Sequence, residues 1–297
     1  MISQLLIVIL GIAAMNFNCS AQTNKMVKLQ ADIKQVMARS GGTIAIAFED
    51  LVTGDSLFNN EKVPMHAAST MKTPVMIEVF KQAQADTFSL SDSIVIKNEF
   101  KSIVDGSRFS LKFDDDSDDL VYKHIGKKMN LYDLVFQMIT VSSNFATNIL
   151  IDLVSAQNIM KTMESIGARH IKVLRGVEDL KAYEHGLNNT TDAYDMLLIL
   201  KAIALKKVIS AEACDQMINI LLNQKFKNKI PARLPATVKV AHKTGSIAGI
   251  EHDAAIVYLT PDHPYLLVVL TMGIESPKQA QEAIARISEL IYLAQIQ

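Results

Sequence analysis

The chain has few of the residues that form covalent cross-links, bind zinc or make long flexible segments. Its 297 residues include no tryptophan, two cysteines, seven prolines and twelve glycines. So few glycines and prolines leave little room for low-complexity or linker segments. The formal net charge is −1 and no segment carries a sustained basic face, which argues against a nucleic-acid or anionic-membrane partner.

The first residues have the pattern of an export signal. An apolar run over residues 5–15 is too short to span a bilayer comfortably, and small residues then offer a cleavage site after Ala21. Lipid attachment at Cys19 and a buried amino-terminal helix are the alternatives. We predict a signal peptide over residues 1–21 and a periplasmic or secreted mature chain, residues 22–297, with no integral membrane span.

Cleavage after Ala21 would leave Cys214 as the single cysteine of the mature chain. An intramolecular disulfide and a cysteine-based zinc site are then both excluded. Stability must come from buried apolar surface, which a chain of this length with 49% hydrophobic residues can supply.

Short apolar runs bounded by turn residues predict strands near both ends of the mature chain. Two lie early, at Thr43–Asp50 and Ser56–Asn59, and three lie late, at Thr237–Lys243, Asp253–Leu259 and Tyr265–Met272. The simplest assembly pairs the first strands with the last ones in one antiparallel sheet.

Helical periodicity fills the middle of the chain and flanks the strands. The predicted helices are Lys25–Arg39, Ser69–Ala85, Asn130–Thr140, Asn144–Val154, Ala156–Ile166, one capped by Thr190-Thr191-Asp192, one capped by Ser210, and Pro277–Leu293. The expected fold class is α+β, sandwich-like, with an α/β lobe over residues 25–68 and 237–297. An all-helical lobe would span residues 69–236, and the cleft between lobes is where we expect a pocket.

Ser69 and Lys72 lie three residues apart at the predicted start of a helix. That spacing puts both side chains on one face, one turn apart. A serine hydroxyl is a weak nucleophile until a neighbour accepts its proton, and a desolvated lysine amine can do so. Taken alone, the pair is more often a capping serine followed by a solvated lysine.

A second motif, Ser142-Ser143-Asn144, lies between two predicted helices, with Asn148 one turn further along. A hydroxyl facing the first motif could relay a proton to a leaving nitrogen, and an amide could hold the lysine and a substrate carbonyl. The alternative interpretation is an ordinary helix start.

A third motif, Lys243-Thr244-Gly245-Ser246, comes at the predicted end of a strand. The lysine supplies positive potential, the hydroxyls could bind a substrate carboxylate, and the glycine lets a ligand approach the backbone. The amide of Ser246, with that of Ser69, could form an oxyanion hole. The alternative is a polar strand end without function.

The three motifs, in this order, resemble those of class A β-lactamases and penicillin-binding proteins, and the resemblance covers nearly the whole mature chain. It implies that Ser69 is the acylated nucleophile, Lys72 a proton acceptor and Ser142 the shuttle to the lactam nitrogen. It also implies a substrate-binding set: Asn144, Asn148, Lys243, Thr244, Gly245 and Ser246.

The resemblance further implies a glutamate that activates water against the acyl-enzyme, on the loop between Arg175 and Thr191. Glu184 matches the local Glu-x-x-Leu-Asn pattern, whereas Glu178 fits the span of the loop better. The number of residues between Arg175 and Thr191 limits where a glutamate can lie more strictly than a match to a short local pattern does. We therefore favour Glu178 and keep Glu184 as the alternative.

The chain departs from the family pattern at several positions. Ser143 replaces the acidic residue usual in the second motif, and Asn189 stands where an aspartate would pair with Arg175. No arginine follows the third motif on the next strand. Lys229 or Arg233 could bind carboxylate instead, but the simpler interpretation, which we favour, is that both are surface charges. The acidic run at residues 114–119 lacks the glycine and final glutamate of a calcium loop, and we predict a solvated surface loop there.

The resulting prediction is an exported class A β-lactamase-like serine hydrolase that opens β-lactam rings through an acyl-Ser69 intermediate. It would act as a monomer on a β-lactam or a peptidoglycan-like peptide, without metal or organic cofactor, and would support antibiotic resistance. The first alternative is a D-Ala-D-Ala peptidase, amidase or esterase of the same fold. The second is a non-catalytic penicillin-sensing domain.

Overall fold

A computed structural model of the chain describes residues 25–296, so the predicted signal peptide and Cys19 lie outside the described residues. The strands, in chain order, are β1 (Thr43–Asp50), β2 (Ser56–Asn59), β3 (Met65–His66), β4 (Ser93–Val95), β5 (Phe100–Lys101), β6 (Arg108–Phe109), β7 (Lys128–Asn130), β8 (Thr190–Thr191), β9 (Lys239–Ile247), β10 (Ile250–Thr260) and β11 (His263–Met272).

The α-helices are α1 (25–40), α2 (Lys72–Gln84), α3 (Leu131–Thr140), α4 (Asn144–Val154), α5 (Ala156–Ser165), α6 (Leu180–Glu184), α7 (Ala193–Ala204), α8 (Ala211–Leu222) and α9 (Pro277–Gln295). Short 3₁₀ helices form at Ala68–Met71, Phe113–Asp115, Tyr122–His124 and Ile230–Arg233. No helix within residues 25–296 is long and apolar enough to cross a membrane.

The main sheet has five antiparallel strands in the order β2-β1-β11-β10-β9. Strand β1 pairs with β11 from Thr43 opposite Met272 to Asp50 opposite Tyr265. This confirms the predicted α+β fold, in which the first strands pair with the last ones. The proposed division into lobes at residues 68 and 237 stays a prediction.

The sheet is buried on both faces, which explains why its central strands are so apolar. Along β1, Ile46 and Phe48 pack with helices α1 and α9, whereas Ala45 and Ala47 belong to the core that also contains α2, α3 and α4. Side chains alternate between the two faces of a strand, so one short strand contributes to both cores. Of the helices in residues 72–222, α7 packs against β1, β10 and β11, and α8 packs against β9.

Strand β9 continues to Ile247, four residues beyond the end predicted at Lys243. Polar residues and a glycine suggested a strand end, but β10 extends the ladder, with Thr244 opposite Asp253 and Ser246 opposite Glu251. The third motif consequently lies within the paired strand, where the sheet holds its backbone rigidly.

Two helix starts differ from the prediction. Helix α2 begins at Lys72, because a 3₁₀ turn over Ala68–Met71 precedes it. Helix α7 is capped by Asp192, whose side chain accepts a hydrogen bond from the amide of Asp195. The threonines before Asp192 form strand β8 instead and pair with β3, next to Ser69 in the chain. That pairing brings the loop of residues 175–189 towards Ser69.

Candidate active site

Ser69 lies in the 3₁₀ turn that packs against strand β9. A Cβ atom on Gly245 would lie 3.1 Å from both the Ser69 amide nitrogen and the Ala68 Cβ, so a larger residue would have to push the turn away. In a 3₁₀ turn, side chains three residues apart lie on the same face, which aligns Ser69 with Lys72. The first and third motifs are therefore in direct contact.

Lys72 joins the first motif to the second. Its ammonium group donates to the Ser142 carbonyl at 2.6 Å, the Asn144 Oδ1 at 2.8 Å and the Ser142 Oγ at 3.2 Å. The side chain is buried, and burial lowers the pKa of Lys72 to about 7, against a smaller opposing effect of the Asp116 charge. At neutral pH a large fraction of this amine is therefore unprotonated and able to accept a proton.

Lys243 approaches the same hydroxyl from the third motif. Its Nζ lies 3.0 Å from the Ser142 Oγ and 2.9 Å from the Thr244 carbonyl. Burial, together with the charges of Lys72 and Lys229, lowers the pKa of Lys243 well below its usual value. The Ser142 hydroxyl thus lies between two buried amines, an arrangement suited to passing a proton from one side to the other.

Three non-glycine residues around Ser69 adopt left-handed backbone conformations: Ala68, Ser142 and Glu178, with φ of 45°, 62° and 64°. Such conformations cost of the order of 1–3 kcal/mol each and persist where the surroundings hold them. Each of these residues carries, or directly precedes, a predicted catalytic side chain. Three of the seven non-glycine residues with positive φ within residues 25–296 therefore lie at or next to predicted catalytic positions.

Two cavities meet at Ser69 and share Asn144 and Ser246 as lining residues. We call the first the loop-side cavity; it measures about 230 Å³, and its other lining residues include Lys72, Arg175, Val177, Glu178 and Leu180. The second, the strand-side cavity, measures about 300 Å³ and has these lining residues, among others: Ser69, Ser142, Asn144, Lys229, Thr244 and Ser246. A ligand attached to Ser69 would have room in both cavities.

Asn148 does not line either cavity. It is buried in α4, where its Oδ1 accepts a hydrogen bond from the Val177 amide at 2.6 Å and its Nδ2 donates to the Val177 carbonyl at 2.9 Å. Its contacts differ from the substrate-binding role expected from the sequence, because both functional groups of the amide bind the backbone of the loop. We infer that Asn148 positions the loop beside Ser69.

Replacing Asn148 by alanine would remove both hydrogen bonds to Val177 and leave buried backbone groups unpaired. We expect the free energy of unfolding to fall by about 1–3 kcal/mol, measured by chemical denaturation. Asn219→Ala, at an exposed position in α8, is the matched control and should change it by less than about 0.5 kcal/mol. Equal stability of the two variants would contradict the positioning role.

The two candidate glutamates are in different environments. Glu178 is half-buried and lines the loop-side cavity, whereas Glu184 is exposed at the end of α6 and lines neither cavity. Asp179, next to Glu178, is engaged with the fold: it caps α6 through the Ala182 amide and accepts from the Ser102 hydroxyl at 2.8 Å. Of the two glutamates, Glu178 is the one beside Ser69.

The loop is held without the aspartate that the family pattern leads one to expect. Arg175 donates to the Leu187 carbonyl at 2.9 Å, the Gly176 carbonyl at 3.0 Å and the Asn188 Oδ1 at 3.1 Å. Asn189 accepts from the Leu174 amide and donates to the Arg175 carbonyl. Neutral acceptors therefore replace an ion pair at the base of the loop.

Sequence reasoning missed Asp116, which lies in the run predicted to be a solvated loop. Its carboxylate accepts hydrogen bonds from the amides of Asn144 and Phe145, at 2.9 and 2.8 Å. Asp118, in the same run, is buried. The prediction of a solvated loop was wrong for these two residues, because the run folds over the start of α4. The second motif has Ser143 in place of the usual acidic residue, and Asp116 brings a carboxylate next to that motif from elsewhere in the chain.

Among residues 25–296, one group of side chains has metal-ligand spacing: His170, Asp192 and Asp195, at the start of α7. Asp195 accepts from the backbone amides of His170 and Ile171, and Asp192 caps the helix. Local hydrogen bonding accounts for these carboxylates, and none of the three residues lines either cavity beside Ser69.

Comparison with known proteins agrees with this arrangement. The model of the family described as "Beta-lactamase enzyme family" matches residues 28–295. A β-lactamase of Bacteroides uniformis is 23% identical over 292 residues, which cover 93% of this chain and 95% of the relative. The solved β-lactamase of Sphaerobacter thermophilus is 25% identical to this chain, with a TM-score of 0.76. The match covers 89% of this chain and 96% of that one.

A solved variant of PBP-A, described as an acyl-enzyme complex with penicillin G, has the same fold at 23% identity, with a TM-score of 0.77 and coverage of 91% of this chain and 97% of that one. The family model spans nearly all described residues, including all three motifs. The chain therefore belongs to the β-lactamase enzyme family.

Proposed function

We propose that this protein is a serine hydrolase that opens β-lactam rings through an acyl-Ser69 intermediate. The observation that carries the proposal is the convergence of the motifs: Lys72 contacts Ser142 and Asn144, and Lys243 contacts the same Ser142 hydroxyl. Burial lowers the pKa of Lys72 to about 7, which leaves its amine able to accept a proton at neutral pH. It lies one helical turn after Ser69 and lines the same cavity. The names of the relatives, which are β-lactamases, support the same activity.

Acylation would begin when the neutral Lys72 amine accepts the proton of the Ser69 hydroxyl. Loss of one proton leaves two N–H bonds, which suffice for the short contacts to the Ser142 carbonyl and Asn144. The lone pair is then free for Ser69. The Ser69 oxygen attacks the lactam carbonyl carbon, and the amides of Ser69 and Ser246 would stabilise the oxyanion.

Ring opening requires a proton on the lactam nitrogen as its bond to the carbonyl carbon breaks. The Ser142 hydroxyl would donate that proton and recover one from the amines on either side, at 3.2 Å from Lys72 and 3.0 Å from Lys243. Thr244 and Lys243 would hold the substrate carboxylate in the strand-side cavity. Proton transfers of this kind contribute roughly 10²–10⁴-fold to a rate.

Deacylation would use Glu178. It lines the loop-side cavity together with Ser69 and does not line the strand-side cavity. There it could take a proton from a water molecule that attacks the ester carbonyl. The exposed Glu184 is less suited to this role, because it lines neither cavity.

The alternative is a peptidase of the same fold that is acylated by β-lactams but releases them slowly. One feature favours it: the loop-side cavity is also lined by the apolar side chains of Val177 and Leu180, which do not activate water. The solved acyl-enzyme of a PBP-A variant has the same fold. The apolar run over residues 5–15 supports export in both cases.

A turnover assay tests the proposal. The mature chain is incubated with a chromogenic cephalosporin and its intact mass is followed in time. We expect many turnovers per enzyme, with a transient mass increase equal to the intact substrate, or to the substrate less any 3′ leaving group expelled after ring opening. A single burst with a persistent adduct would favour the peptidase, and no adduct would contradict the assignment of the motifs.

Lys72→Met should reduce the acylation rate by about 10²–10³-fold, because no other amine follows Ser69 by one turn. In the unmodified protein, the acylation rate should rise with pH through about 7 and then level off, as the Lys72 amine loses its proton. Lys81→Met, on the exposed side of α2, is the control. A pH profile that is flat around 7, or a rapid Lys72→Met variant, would refute the role of Lys72.

A further inference from the structure

Lys229 is a buried cation at the wall of the strand-side cavity. It precedes the 3₁₀ helix Ile230–Arg233 and is 1% exposed, so the interpretation of Lys229 as a surface charge was wrong. Its Nζ donates to the Gly245 carbonyl at 2.8 Å, the Ser246 Oγ at 2.9 Å and the His252 carbonyl at 3.0 Å. A lysine in this place would attract an anionic group of a substrate bound along β9.

The charge of Lys229 is already neutralised by the protein. The Oε2 of Glu251 lies 2.6 Å from the Lys229 Nζ, and both side chains are almost fully buried. Glu251 reaches this position from β10, where it is the cross-strand partner of Ser246. Its other oxygen, Oε1, accepts from Gln281 in α9 at 3.1 Å, so the carboxylate is held at both ends.

Glu251 also engages the hydroxyl of Ser246. The Ser246 Oγ donates to the Glu251 Oε2 at 2.7 Å and accepts from Lys229. A hydroxyl has one hydrogen to donate, so while this bond lasts Ser246 cannot donate to a substrate carboxylate. The other hydroxyl of the third motif is that of Thr244. Thr244 lines the strand-side cavity, and its hydroxyl makes no hydrogen bond to another side chain within residues 25–296.

We propose that Glu251 is a specificity-determining residue: its carboxylate neutralises the Lys229 ammonium and occupies the donor of Ser246, and so weakens the preference of the site for anionic substrates. The inference rests on the proposed function, because it concerns how the same site distinguishes β-lactams. Substrates whose group at this position is a carboxylate then gain little over neutral ones, such as esters.

Removing the charge of Glu251 should leave the Lys229 ammonium without its anionic partner. In Glu251→Gln, Lys229 keeps its three neutral oxygen acceptors, so the buried ammonium stays partly satisfied. A substrate carboxylate could then replace the lost charge beside Lys229. Because a hydrogen bond to a charged group contributes about 1.5–3 kcal/mol, roughly 10-fold or more in rate constant is expected for the anionic substrate.

The test compares one cephalosporin bearing a free carboxylate with the methyl ester of the same compound, using the second-order rate constant of acylation. We expect Glu251→Gln to raise the acid-to-ester ratio by about 10-fold or more, with the ester itself changing by less than about 3-fold. Glu282→Gln, which removes an exposed negative charge from α9, should leave the ratio unchanged. The gain should disappear in the double variant Lys229→Met/Glu251→Gln.

An equal change for acid and ester would overturn the inference, because a merely structural role of Glu251 would affect both alike. If Glu251→Gln does not fold, the unmodified protein alone tests the inference. A ratio of acylation rate constants for acid and ester below about 10 supports it, and a larger ratio contradicts it. Failure of the unmodified protein to react with either compound would instead overturn the proposed function, and this inference with it.

Discussion

Replacing Ser69 by alanine is expected to abolish both the covalent adduct and the turnover of a chromogenic cephalosporin. Loss of a catalytic serine nucleophile lowers kcat by about 10⁶-fold in well-studied hydrolases, and a loss of that order is expected here. The physical reason is that the Ser69 hydroxyl lies in the turn that contacts β9, one turn before a buried amine, and no other hydroxyl within residues 25–296 has both features. The measurement is steady-state absorbance together with intact mass after acid quench.

The Ser69→Ala variant should keep its fold, since the Ser69 hydroxyl makes no hydrogen bond to another residue in the range 25–296. Its thermal unfolding should therefore match that of the unmodified protein. Ser91→Ala, at an exposed position before β4, is the control for handling and should retain full activity. An adduct that still forms on Ser69→Ala would show that another group is the nucleophile.

Replacing Glu178 by glutamine is expected to separate acylation from deacylation. Acylation should proceed, because the Lys72 amine is held by Ser142 and Asn144 and makes no hydrogen bond to Glu178. Turnover should fall by about 10⁴-fold, at the upper end of the range for a general base, because a carboxamide cannot take a proton from water. The acyl-enzyme should therefore accumulate to one equivalent in intact mass.

Glu184→Gln is the matched control for this experiment, since it changes the same chemistry on the same loop at an exposed position. It should turn over at the unmodified rate. Accumulation of the adduct in Glu184→Gln, and not in Glu178→Gln, would reverse the assignment of the base. Accumulation in the unmodified protein would favour the peptidase alternative.

The fold was largely predictable because local patterns and long-range pairing agree. Strands β1 and β2 have the predicted bounds, since short apolar runs end in clear turn residues. The end of β9 was not predictable from its own residues. Polar side chains and Gly245 suggested a stop, but the ladder with β10 continues through them. Where a partner strand determines the end of an element, its own sequence is a weak guide.

The three motifs were predictable because each is short and contiguous. Asp116 was not, because its contact with the start of α4 joins residues 28 positions apart, with no local signal. The pairing of Lys229 with Glu251 depends in the same way on β10 and on the 3₁₀ helix before β9. Asn148 was recognised by spacing, but its burial directs it to the loop rather than to a substrate.

Glu178 and Glu184 could not be distinguished with certainty from their spacing along the loop, and the contacts of the loop in the structure separate them. Both lie on one loop, and a sequence pattern favoured Glu184. Hydrogen bonds from Asn148 hold Val177 against α4, and the left-handed backbone at Glu178 follows directly after it. This part of the loop is thereby kept beside Ser69, whereas the end of α6 is directed to solvent. Anchoring of the loop, rather than its pattern, determines which carboxylate lies in the cavity.

The most direct test of the central claim is to locate the covalent adduct. Glu178→Gln is mixed with a β-lactam, quenched in acid, digested and analysed by tandem mass spectrometry. We expect the peptide that contains Ser69 to gain the mass of the acyl group retained after ring opening, with the modification on Ser69 itself. An adduct on any other residue, with Ser69 unmodified, would contradict the central claim.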